Sequence, residues 1–233
     1  MLASRLPLSP LRLAVVVPTL NEESALRRTL PAALAAADEV VVSDGGSSDG
    51  TVALAQSLGA RVVCGAAGRG SQLNRGAAAT SAEVVLFLHA DTDLPPGAAD
   101  AVRQAIADGA LGGGFLLRFD DRRPLLRLGG RLINLRTRCV GLPLGDQAQF
   151  VTRAAFDALG GFRDWPILED LDFALRLRRT RRSTLILRPV TTAARRFVEQ
   201  GATRTVATNW LIWLLFFLGV SPHRLARLYR HIR

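Results

Sequence analysis

The stretch VVLFLHADTDLP, from Val84 to Pro95, decides the fold of this chain. Its first five residues are all apolar and mostly β-branched or aromatic, which is typical of a strand buried on both faces of a parallel sheet. Asp91 and Asp93 follow directly after this strand. In open α/β sheets ligands bind beyond the carboxyl ends of the strands, so the sequence predicts a ligand site at these two carboxylates.

The chemistry of Asp91 and Asp93 suits a divalent metal. Both are hard oxygen ligands, and Mg²⁺ or Mn²⁺ is usually held by one or two carboxylates while substrate phosphates complete its coordination. The alternative is a solvated Asp-rich turn that caps the next helix, because Asp is favoured at helix starts. The D-x-D spacing alone does not decide between the two interpretations.

Charge is the main constraint that composition supplies. The 233 residues carry a formal net charge of +10, and all 30 basic residues are Arg. The absence of Lys excludes Schiff-base and P-loop lysine chemistry, whereas Arg suits bidentate contacts with phosphate and so indicates a phosphorylated ligand, an anionic lipid or a nucleic acid. Cys64 and Cys139 have neither metal-site nor disulfide-framework spacing, which favours a reducing, cytoplasmic compartment.

Short apolar strands alternate with helical segments before the central strand. The pattern predicts strands at Leu13–Val17, Glu39–Ser43 and Ala60–Cys64, and helices that begin at an Asn21 cap and at Thr51. Such alternation predicts a mostly parallel α/β sheet flanked by helices. The first turn, PTLNEE, has no Gly and the chain has no Lys, which excludes a Rossmann dinucleotide motif and a Walker P-loop.

The second strand ends in a Gly-rich turn, DGGSSDGT, that begins at Asp44. A carboxylate at a strand tip can accept hydrogen bonds from a base or a ribose, and Gly45 and Gly46 let the backbone approach a ligand. We therefore expect Asp44 to contact a nucleotide. Asp49, close to Thr51, is expected to form an Asx turn that caps the next helix. The Gly-rich stretch from Gly65 to Gly76 is expected to be a loop that enters a further helix.

Beyond Pro95 the pattern is less regular, although Gly112–Phe119 is predicted to be a strand that is entered through glycines. Residues Arg122–Arg138 alternate Arg with Leu at helical spacing, interrupted by a Gly pair. This is typical of a basic amphipathic helix on a membrane or of a helix whose Leu face packs on the sheet. Glu169 and Asp170 open a later helix, where acids offset the helix dipole but where a general base can also face a metal and phosphate site.

The C-terminal segment WLIWLLFFL, from Trp210 to Leu218, is apolar without interruption. It is shorter than the ~20 residues that cross a bilayer. Because it contains Trp and is flanked by Arg, residues 207–220 are expected either at a membrane interface, peripherally on the inner face, or in the core or a dimer contact.

Five segments resemble the motifs of family 2 glycosyltransferases, in the family's order between Leu13 and Phe197. VVVPTLNEE resembles the opening strand and loop, VVSDGGSSDGT the D-D-G-S-T-D-G-T turn, and LFLHADTDLP the D-x-D strand. GGF followed by ILEDLDFALRLR resembles the acceptor-side E-D helix, and AARRF stands where an Arg-rich motif is expected.

This resemblance implies a GT-A fold, a Rossmann-like α/β architecture with a mostly parallel sheet and a C-terminal helical extension. We expect one glycosyltransferase domain over residues 1–233. Residues 13–95 would form its nucleotide-binding half, residues 96–197 its acceptor and catalytic half, and residues 198–233 a helical tail that is apolar and basic.

The resemblance also implies roles for single residues. Asp91 and Asp93 would hold Mg²⁺ or Mn²⁺, although alignment on Leu94-Pro95 puts His89 at the first D-x-D position and Asp93 just outside. Asp170 would be the general base, and Glu169 would orient it or bind acceptor hydroxyls. Asp146 and Gln147 would border the acceptor pocket. The donor nucleotide sugar would contact Pro18, Thr19, Glu22, Asp44, Gly45, Arg69, Gln72, Arg195 and Arg196.

The implied reaction is an inverting, metal-assisted sugar transfer from a nucleotide sugar to an acceptor hydroxyl or lipid phosphate, with a lipid-linked or small-molecule acceptor. A nucleotidyltransferase is one alternative, but it needs a Gly-rich, Lys- or Arg-bearing first loop. A non-catalytic, Arg-rich protein that binds anionic lipid or nucleic acid is the other. Nucleic acid is not expected, because aromatic residues for base stacking are few.

Overall fold

The computed structural model describes residues 11–194 and 202–232. One sheet organises them, and its strands are β1 Leu13–Thr19, β2 Glu39–Asp44, β3 Arg61–Cys64, β4 Val84–Phe87, β5 Thr92–Asp93, β6 Gly112–Phe119, β7 Phe150–Thr152 and β8 Ser183–Thr192. The helices are α1 Glu23–Ala36, α2 Thr51–Ser57, α3 Arg69–Ala78, α4 Ala98–Ala107, α5 Pro124–Val140, α6 Arg153–Leu159, α7 Glu169–Arg179, α8 Ala202–Phe217 and α9 Pro222–Ile232. A 3-10 turn spans Gly145–Gln147.

The first half of the sheet is parallel, as the sequence predicts. Its strands follow the spatial order β3-β2-β1-β4, and each neighbouring pair is parallel. Strand β1 extends past the expected end at Val17, because Pro18 pairs with Ser43 and the Thr19 carbonyl accepts a hydrogen bond from the Gly45 N–H at 2.9 Å. The carboxyl ends of these strands therefore meet at one edge, where the site was expected.

The second half of the sheet is mixed rather than parallel. Strand β7 pairs antiparallel with both β4 and β6, while β8 lies parallel to β6 and antiparallel to β5. The sequence analysis predicts β6 but not β5, β7 or β8. Strands β5 and β7 have two and three residues, too few to show a period, and Pro189 inside β8 argues against a strand.

Three helices differ from the sequence prediction, two of them in where they begin and one in being continuous. Helix α1 begins at Glu23 without a side-chain cap, because Asn21 adopts a left-handed φ of 56° and its Oδ1 accepts the Ser48 N–H at 2.8 Å. Helix α3 occupies most of the stretch expected to be a loop. Helix α5 runs unbroken through its Gly pair. The glycines of this stretch predicted a loop, but Gly76 allows close packing of the helix, because a side chain at this position would collide with Val16.

Alternate residues of the central strands fill the two faces of the sheet. Val15 and Leu86 belong to the buried cluster on one face, and Val16 and Phe87 to that on the other. On the second face the rings of Phe87, Phe156, Phe162 and Phe173 pack with centroids 4.5–5.9 Å apart. This aromatic cluster fixes α6 and α7 against β4, and thereby positions the acidic start of α7.

No helix in the described ranges is both long enough and apolar enough to cross a membrane.

Candidate active site

The carboxylate of Asp44 fixes the turn after β2. The residue is 1% exposed, its Oδ2 accepts the N–H groups of Gly46 and Ser47 at 2.8 Å each, and its Oδ1 accepts the hydroxyls of Thr19 and Ser47. Burial raises the pKa of Asp44, but the hydrogen bonds from Ser47, Gly46 and Thr19 outweigh burial, so the pKa lies below its ordinary value. Asp44 is therefore an ionised residue whose hydrogen bonds hold the Gly45-Gly46 backbone in place.

Asp49 makes the Asx turn that the sequence predicts. Its Oδ1 accepts the Thr51 N–H at 3.0 Å, and its Oδ2 accepts the Glu23 N–H at 3.3 Å. The Glu22 N–H donates to Thr51 Oγ1 at 2.9 Å. These contacts tie the loop after β1 to the turn after β2, so that the predicted donor-side residues Pro18, Thr19, Glu22, Asp44 and Gly45 come together.

Gln72 lies beneath this turn and is almost fully buried. It is 6% exposed, and its Nε2 donates to the carbonyls of Thr19 and Ser43 at 2.8 and 2.9 Å. Its Oε1 accepts the Gly68 N–H at 3.2 Å. A ligand contact was expected for Gln72, but its amide is used to join the ends of β1 and β2. Arg195 and Arg196, also expected on the donor side, lie outside the described residues.

Asp91 and Asp93, which follow β4 in the chain, occupy different surroundings. Asp91 is partly exposed, and its Oδ1 has the Thr92 hydroxyl at 3.4 Å. Asp93 lies near Arg28 and Asp120. Burial raises the pKa of Asp93, Arg28 opposes the rise, and the charges of Asp120 and Asp91 add to it.

Asp91 and Asp93 could hold a metal only if a bound ligand supplied further oxygen atoms. No group of three or more His, Cys, Asp or Glu side chains within residues 11–194 and 202–232 is arranged to hold an ion. Asp91 and Asp93 offer carboxylate oxygens alone, which is the donor type that Mg²⁺ and Mn²⁺ prefer. A divalent ion here would therefore need phosphate oxygens to complete its coordination.

On the other side of the site, Asp170 is held at the start of α7. Its Oδ2 accepts the Gly145 N–H at 2.8 Å, and its Oδ1 accepts the Leu171 N–H at 2.8 Å. A Cβ atom added to Gly145 would lie 2.9 Å from His89 Nε2 and 3.0 Å from Asp170 Oδ2. The small turn at Gly145 therefore lies between the end of β4 and the start of α7. His89, which aligns with the first acid of the D-x-D motif, faces this turn.

Glu169 links the two halves of the site. It is 3% exposed, and its Oε1 lies 3.2 Å from Arg69 Nε. Burial raises the pKa of Glu169 to about 7, the charge of Asp170 adds to the rise, and Arg69 opposes it. Arg69, expected on the donor side, therefore contacts the acceptor-side helix from the first residue of α3.

Gln147 is buried, although it was expected to border the acceptor pocket. Its Nε2 donates to the Phe115 carbonyl at 2.9 Å, and its Oε1 accepts from Thr137 Oγ1 at 3.0 Å and from Arg136 Nη2 at 3.2 Å. Its amide forms these hydrogen bonds inside the protein and thereby holds the 3-10 turn against α5 and β6.

Arg136 is a residue of the site that the sequence analysis does not single out. Its guanidinium lies over the Trp213 ring, 4.9 Å from the centroid, and its Nε is buried without a hydrogen-bond partner among the described residues. Burial lowers the pKa of Arg136, and the charges of Asp146 and Asp170 oppose this. Because α5 carries Arg at many positions, no local signal distinguishes this one.

Asp146 lies beside Arg136. The residue is partly exposed, yet its Oδ1 is shielded from solvent and has no hydrogen-bond partner within the described part of the chain. Burial raises the pKa of Asp146, Arg136 lowers it, Asp170 raises it further and Arg69 lowers it. The turn, α5, α3 and α7 thus enclose a group of mutually interacting charges.

More than half of the chain matches a known protein family. The family model of glycosyl transferase family 2 matches residues 14–153. Glucosyl-3-phosphoglycerate synthase from Mycobacterium tuberculosis is 36% identical over 96 residues, which cover 36% of this chain and 30% of the relative. The same enzyme from Mycobacterium bovis matches with the same values. The match therefore spans less than a third of the length of these curated relatives.

Solved structures share the fold. The S. aureus TarS 1–349 structure has a TM-score of 0.63 at 19% identity, over 84% of this chain and 64% of that one. The mannosyltransferase PcManGT from Pyrobaculum calidifontis, in complex with GDP-Man and Mn²⁺, has a TM-score of 0.63 at 18% identity, over 97% and 71%. Glucosyl-3-phosphoglycerate synthase from M. tuberculosis, with Mn²⁺, UDP and glucosyl-3-phosphoglycerate, gives 0.55 at 23%, over 78% and 70%. The GT-A fold expected from the sequence is thereby confirmed.

Proposed function

The chain belongs to glycosyl transferase family 2, and from this we propose that it transfers a sugar from a nucleoside diphosphate sugar to an acceptor, with inversion at the anomeric carbon. The observation that carries the proposal is a contact between the predicted donor side and the predicted acceptor side. Arg69, from the predicted donor side, contacts Glu169, which is adjacent to Asp170. A structural neighbour in complex with GDP-Man and Mn²⁺, and another with Mn²⁺ and UDP, support a nucleotide sugar as donor.

The donor would bind within residues 13–95. Pro18, Thr19 and Glu22 would border the base and ribose, and the Gly45 backbone would approach the nucleotide closely because it carries no side chain. Asp44 would act mainly by holding that turn, since four hydrogen bonds already reach its carboxylate. Arg69, 37% exposed at its side chain, would reach the diphosphate, and Arg195 and Arg196 are further candidates for that contact.

Asp91 is the better placed of the two expected metal ligands. Both residues are partly exposed, but burial and the charge of Asp120 raise the pKa of Asp93 and Arg28 lies near it, which makes Asp93 the weaker ligand. Asp91 and the donor's phosphates would hold Mg²⁺ or Mn²⁺, and the ion would offset the negative charge of the departing diphosphate.

Asp170 would act as the general base. An acceptor hydroxyl gives its proton to the Asp170 carboxylate while its oxygen bonds to the anomeric carbon, and the bond from that carbon to the diphosphate oxygen breaks. The Gly145 N–H holds the Asp170 carboxylate in place. Glu169, with a pKa of about 7, and Arg69 would orient this end of α7.

Arg136 supports an acceptor that carries a negative group. Its buried Nε is a donor without a partner among the described residues, and an acceptor phosphate or carboxylate would satisfy it. Asp146 beside it would bind an acceptor hydroxyl, while Gln147 would contribute only by holding the turn. The acceptor would be either a small anionic metabolite or a lipid-linked group, bound within residues 96–197.

Thermal melting with nucleotides tests the donor site. The parent chain, Asp91→Ala and the control Asp100→Ala are melted with UDP, GDP and their sugars, each with and without Mn²⁺. We expect one nucleotide to raise the melting temperature of the parent and of Asp100→Ala only when Mn²⁺ is present, and to have no such effect on Asp91→Ala. Asp100 is a fair control because its side chain is 86% exposed on α4. No shift with any nucleotide would contradict the proposal.

Asp170→Asn tests the base. Asn can still accept the Gly145 N–H, so the local structure is retained while the proton acceptor is lost. We expect release of the nucleoside diphosphate from the donor to slow by at least about 100-fold. The donor-induced thermal shift should not change. A rate equal to that of the parent would show that another group is the base.

A further inference from the structure

Helix α5 presents an apolar stripe to solvent. The stripe consists of four leucines, spaced three and four residues apart and therefore on one face of the helix. Their exposed fractions are 50–58%. They are Leu125, Leu128, Leu132 and Leu135. The helix packs on the protein with other residues, among them Leu126 and Thr137. The sequence analysis leaves two roles open for this Leu face, and the structure turns it outward.

Helix α8 presents a second apolar stripe. It packs inward through Ile212, and through Trp213 and Phe216 against the cluster of Leu142 and Leu171. Four other large apolar residues on its outer side, and one directly after its end, have exposed fractions of 42–70%. They are Trp210, Leu211, Leu214, Phe217 and Leu218. We call the stripes of α5 and α8 together the docking face. Exposed apolar surface of this extent marks an interaction site rather than ordinary surface.

The helices of the docking face carry Arg but no acidic residue, although Arg123, just before α5, is paired with Asp121 at 2.7 Å. Residues 122–145 contain six Arg and no Asp or Glu, and residues 201–233 contain five Arg and no Asp or Glu. Arg127, Arg131 and Arg138 are exposed on α5, and Arg224 and Arg227 are exposed on α9. A surface that combines apolar stripes with unbalanced Arg fits a partner that is apolar inside and anionic outside.

A second copy of this chain fits less well. In a symmetric dimer the same patch meets itself, so the Arg residues of the two copies would face each other and repel. An anionic bilayer offers both a negative headgroup layer and an apolar interior. Helix α8 has 16 residues, about 24 Å, which is shorter than the roughly 30 Å hydrocarbon core. Its length and one-sided stripe therefore suit a helix that lies in the plane of the interface.

We propose that the docking face binds the surface of an anionic lipid bilayer, with the stripes of α5 and α8 inserted at the headgroup boundary and the flanking Arg residues in contact with lipid phosphates. The two helices meet where Arg136 lies over Trp213. Docking thus brings the charged site next to the membrane surface. The proposal does not depend on sugar transfer, because binding is measured without donor or acceptor.

Tryptophan fluorescence of the unaltered chain is the first test. The chain has three Trp, at 165, 210 and 213, and Trp210 is 61% exposed. Vesicles of phosphatidylcholine with phosphatidylglycerol should shift the emission to shorter wavelength, and lipids brominated near the headgroup should quench it. Pure phosphatidylcholine vesicles should have a much smaller effect, and salt should weaken the response. The quenching should be largely lost in Trp210→Phe.

Vesicle sedimentation of paired variants is the second test. Leu128→Gln with Leu132→Gln removes part of the α5 stripe, while the control Leu58→Gln with Leu187→Gln changes two exposed leucines elsewhere, 37% and 66% exposed. We expect partitioning onto anionic vesicles to fall at least about tenfold for the first pair. The control should equal the parent. Arg127→Gln with Arg131→Gln should lower partitioning by about tenfold or more, and the control Arg61→Gln should not.

Three outcomes would overturn the proposal. The first is the absence of any fluorescence change or sedimentation with anionic vesicles. The second is equal binding to neutral and anionic vesicles. The third is a dimer in solution that Leu128→Gln with Leu132→Gln dissociates while the parent ignores vesicles, since the docking face would then belong to a second copy. Because the fluorescence test uses the parent chain, it stands even if a variant fails to fold.

Discussion

Asp170 and Glu169 are adjacent carboxylates whose surroundings separate their properties. Asp170 accepts two backbone N–H groups, whereas Glu169 is almost fully buried, and burial raises its pKa to about 7. Gly145 lies between the side chains of Asp170 and His89, and both fit there because glycine has no Cβ atom. At this scale the site depends on the space left at one residue and on the burial of another.

Gly145→Ala should slow the reaction without weakening donor binding. The new methyl group would lie 2.9 Å from His89 Nε2 and 3.0 Å from Asp170 Oδ2, so that the ends of these two side chains must shift by a few tenths of an ångström. We expect this displacement to lower the turnover number by up to about tenfold. Steady-state turnover and the donor-induced thermal shift measure the two effects. Gly129→Ala is the matched control, because its Cβ would meet nothing within 4 Å. Equal losses in both variants would contradict the explanation.

Glu169→Gln should change how stability depends on pH. The pKa of Glu169 is about 7 in the folded chain, against an ordinary value of 4.5, so the folded state binds more protons between these pH values. The free energy of unfolding of the parent therefore falls as pH rises through this window. The Gln variant has no ionisable group at this position, so its free energy of unfolding should not fall for this reason. It should match the parent near pH 4.5 and exceed it above pH 7 by an amount on the order of 3 kcal/mol. Denaturant unfolding across the window measures this, and a pH-independent difference would contradict it.

At the scale of elements, polar side chains inside the protein decide how strands and helices are joined. Gln72 on α3 binds the ends of β1 and β2, and Gln147 binds the 3-10 turn to β6. Asn134 on α5 both donates to and accepts from the Leu117 backbone at 2.8 Å. Such side chains resemble ligand-binding residues in the sequence, because amide groups serve both purposes equally well.

Gln72→Met tests this structural role. Met has a similar length but leaves the Ser43 carbonyl and the Gly68 N–H without Gln72 as partner. We expect the free energy of unfolding to fall by about 2 kcal/mol, measured by denaturant unfolding. The control Gln104→Met lies at an exposed position of α4 and should change stability by less than about 0.5 kcal/mol. If the two variants are equally stable, Gln72 is not a structural link.

At the scale of the whole molecule, the two halves share one sheet and one core. Strand β4 pairs with β1 on one side and with β7 on the other. The cluster on one face contains Val15 and Leu86 together with Phe115 and Phe150 from the second half. The division at residue 95 is therefore a proposal about ligand binding, and it does not mark a boundary in packing.

A fragment of residues 1–95 should fail to fold. It would expose the edge of β4 that pairs with β7, and it would lose Phe115 and Phe150 from the core. Far-ultraviolet circular dichroism should show an unfolded chain, while the full chain shows mixed helix and strand and melts cooperatively. A cooperative melting transition in the fragment would show that the first half is stable alone.

The predictions that rest on local sequence are confirmed where the pattern is long or strongly apolar. The parallel strands around β4, the strand Gly112–Phe119 and the acids in the first turn of α7 all occur as expected. Hydrophobic runs and helix-start acids act through neighbouring residues, so they can be recognised without knowledge of the fold. The segments that were missed, β5, β7 and β8, are strands because of their partners in the sheet.

By itself, the sequence determined the family and the GT-A fold, and it predicted where the candidate site lies, because its motifs follow in order at the ends of buried strands. Only the tertiary structure decided that Gln72 and Gln147 are buried links, that Arg136 enters the site and that the Leu face of α5 points outward. Local spacing does not encode these outcomes, since they depend on which surface of each side chain other elements cover. Burial is a property of the folded assembly, and it sets both the pKa of Glu169 and the exposure of the docking face.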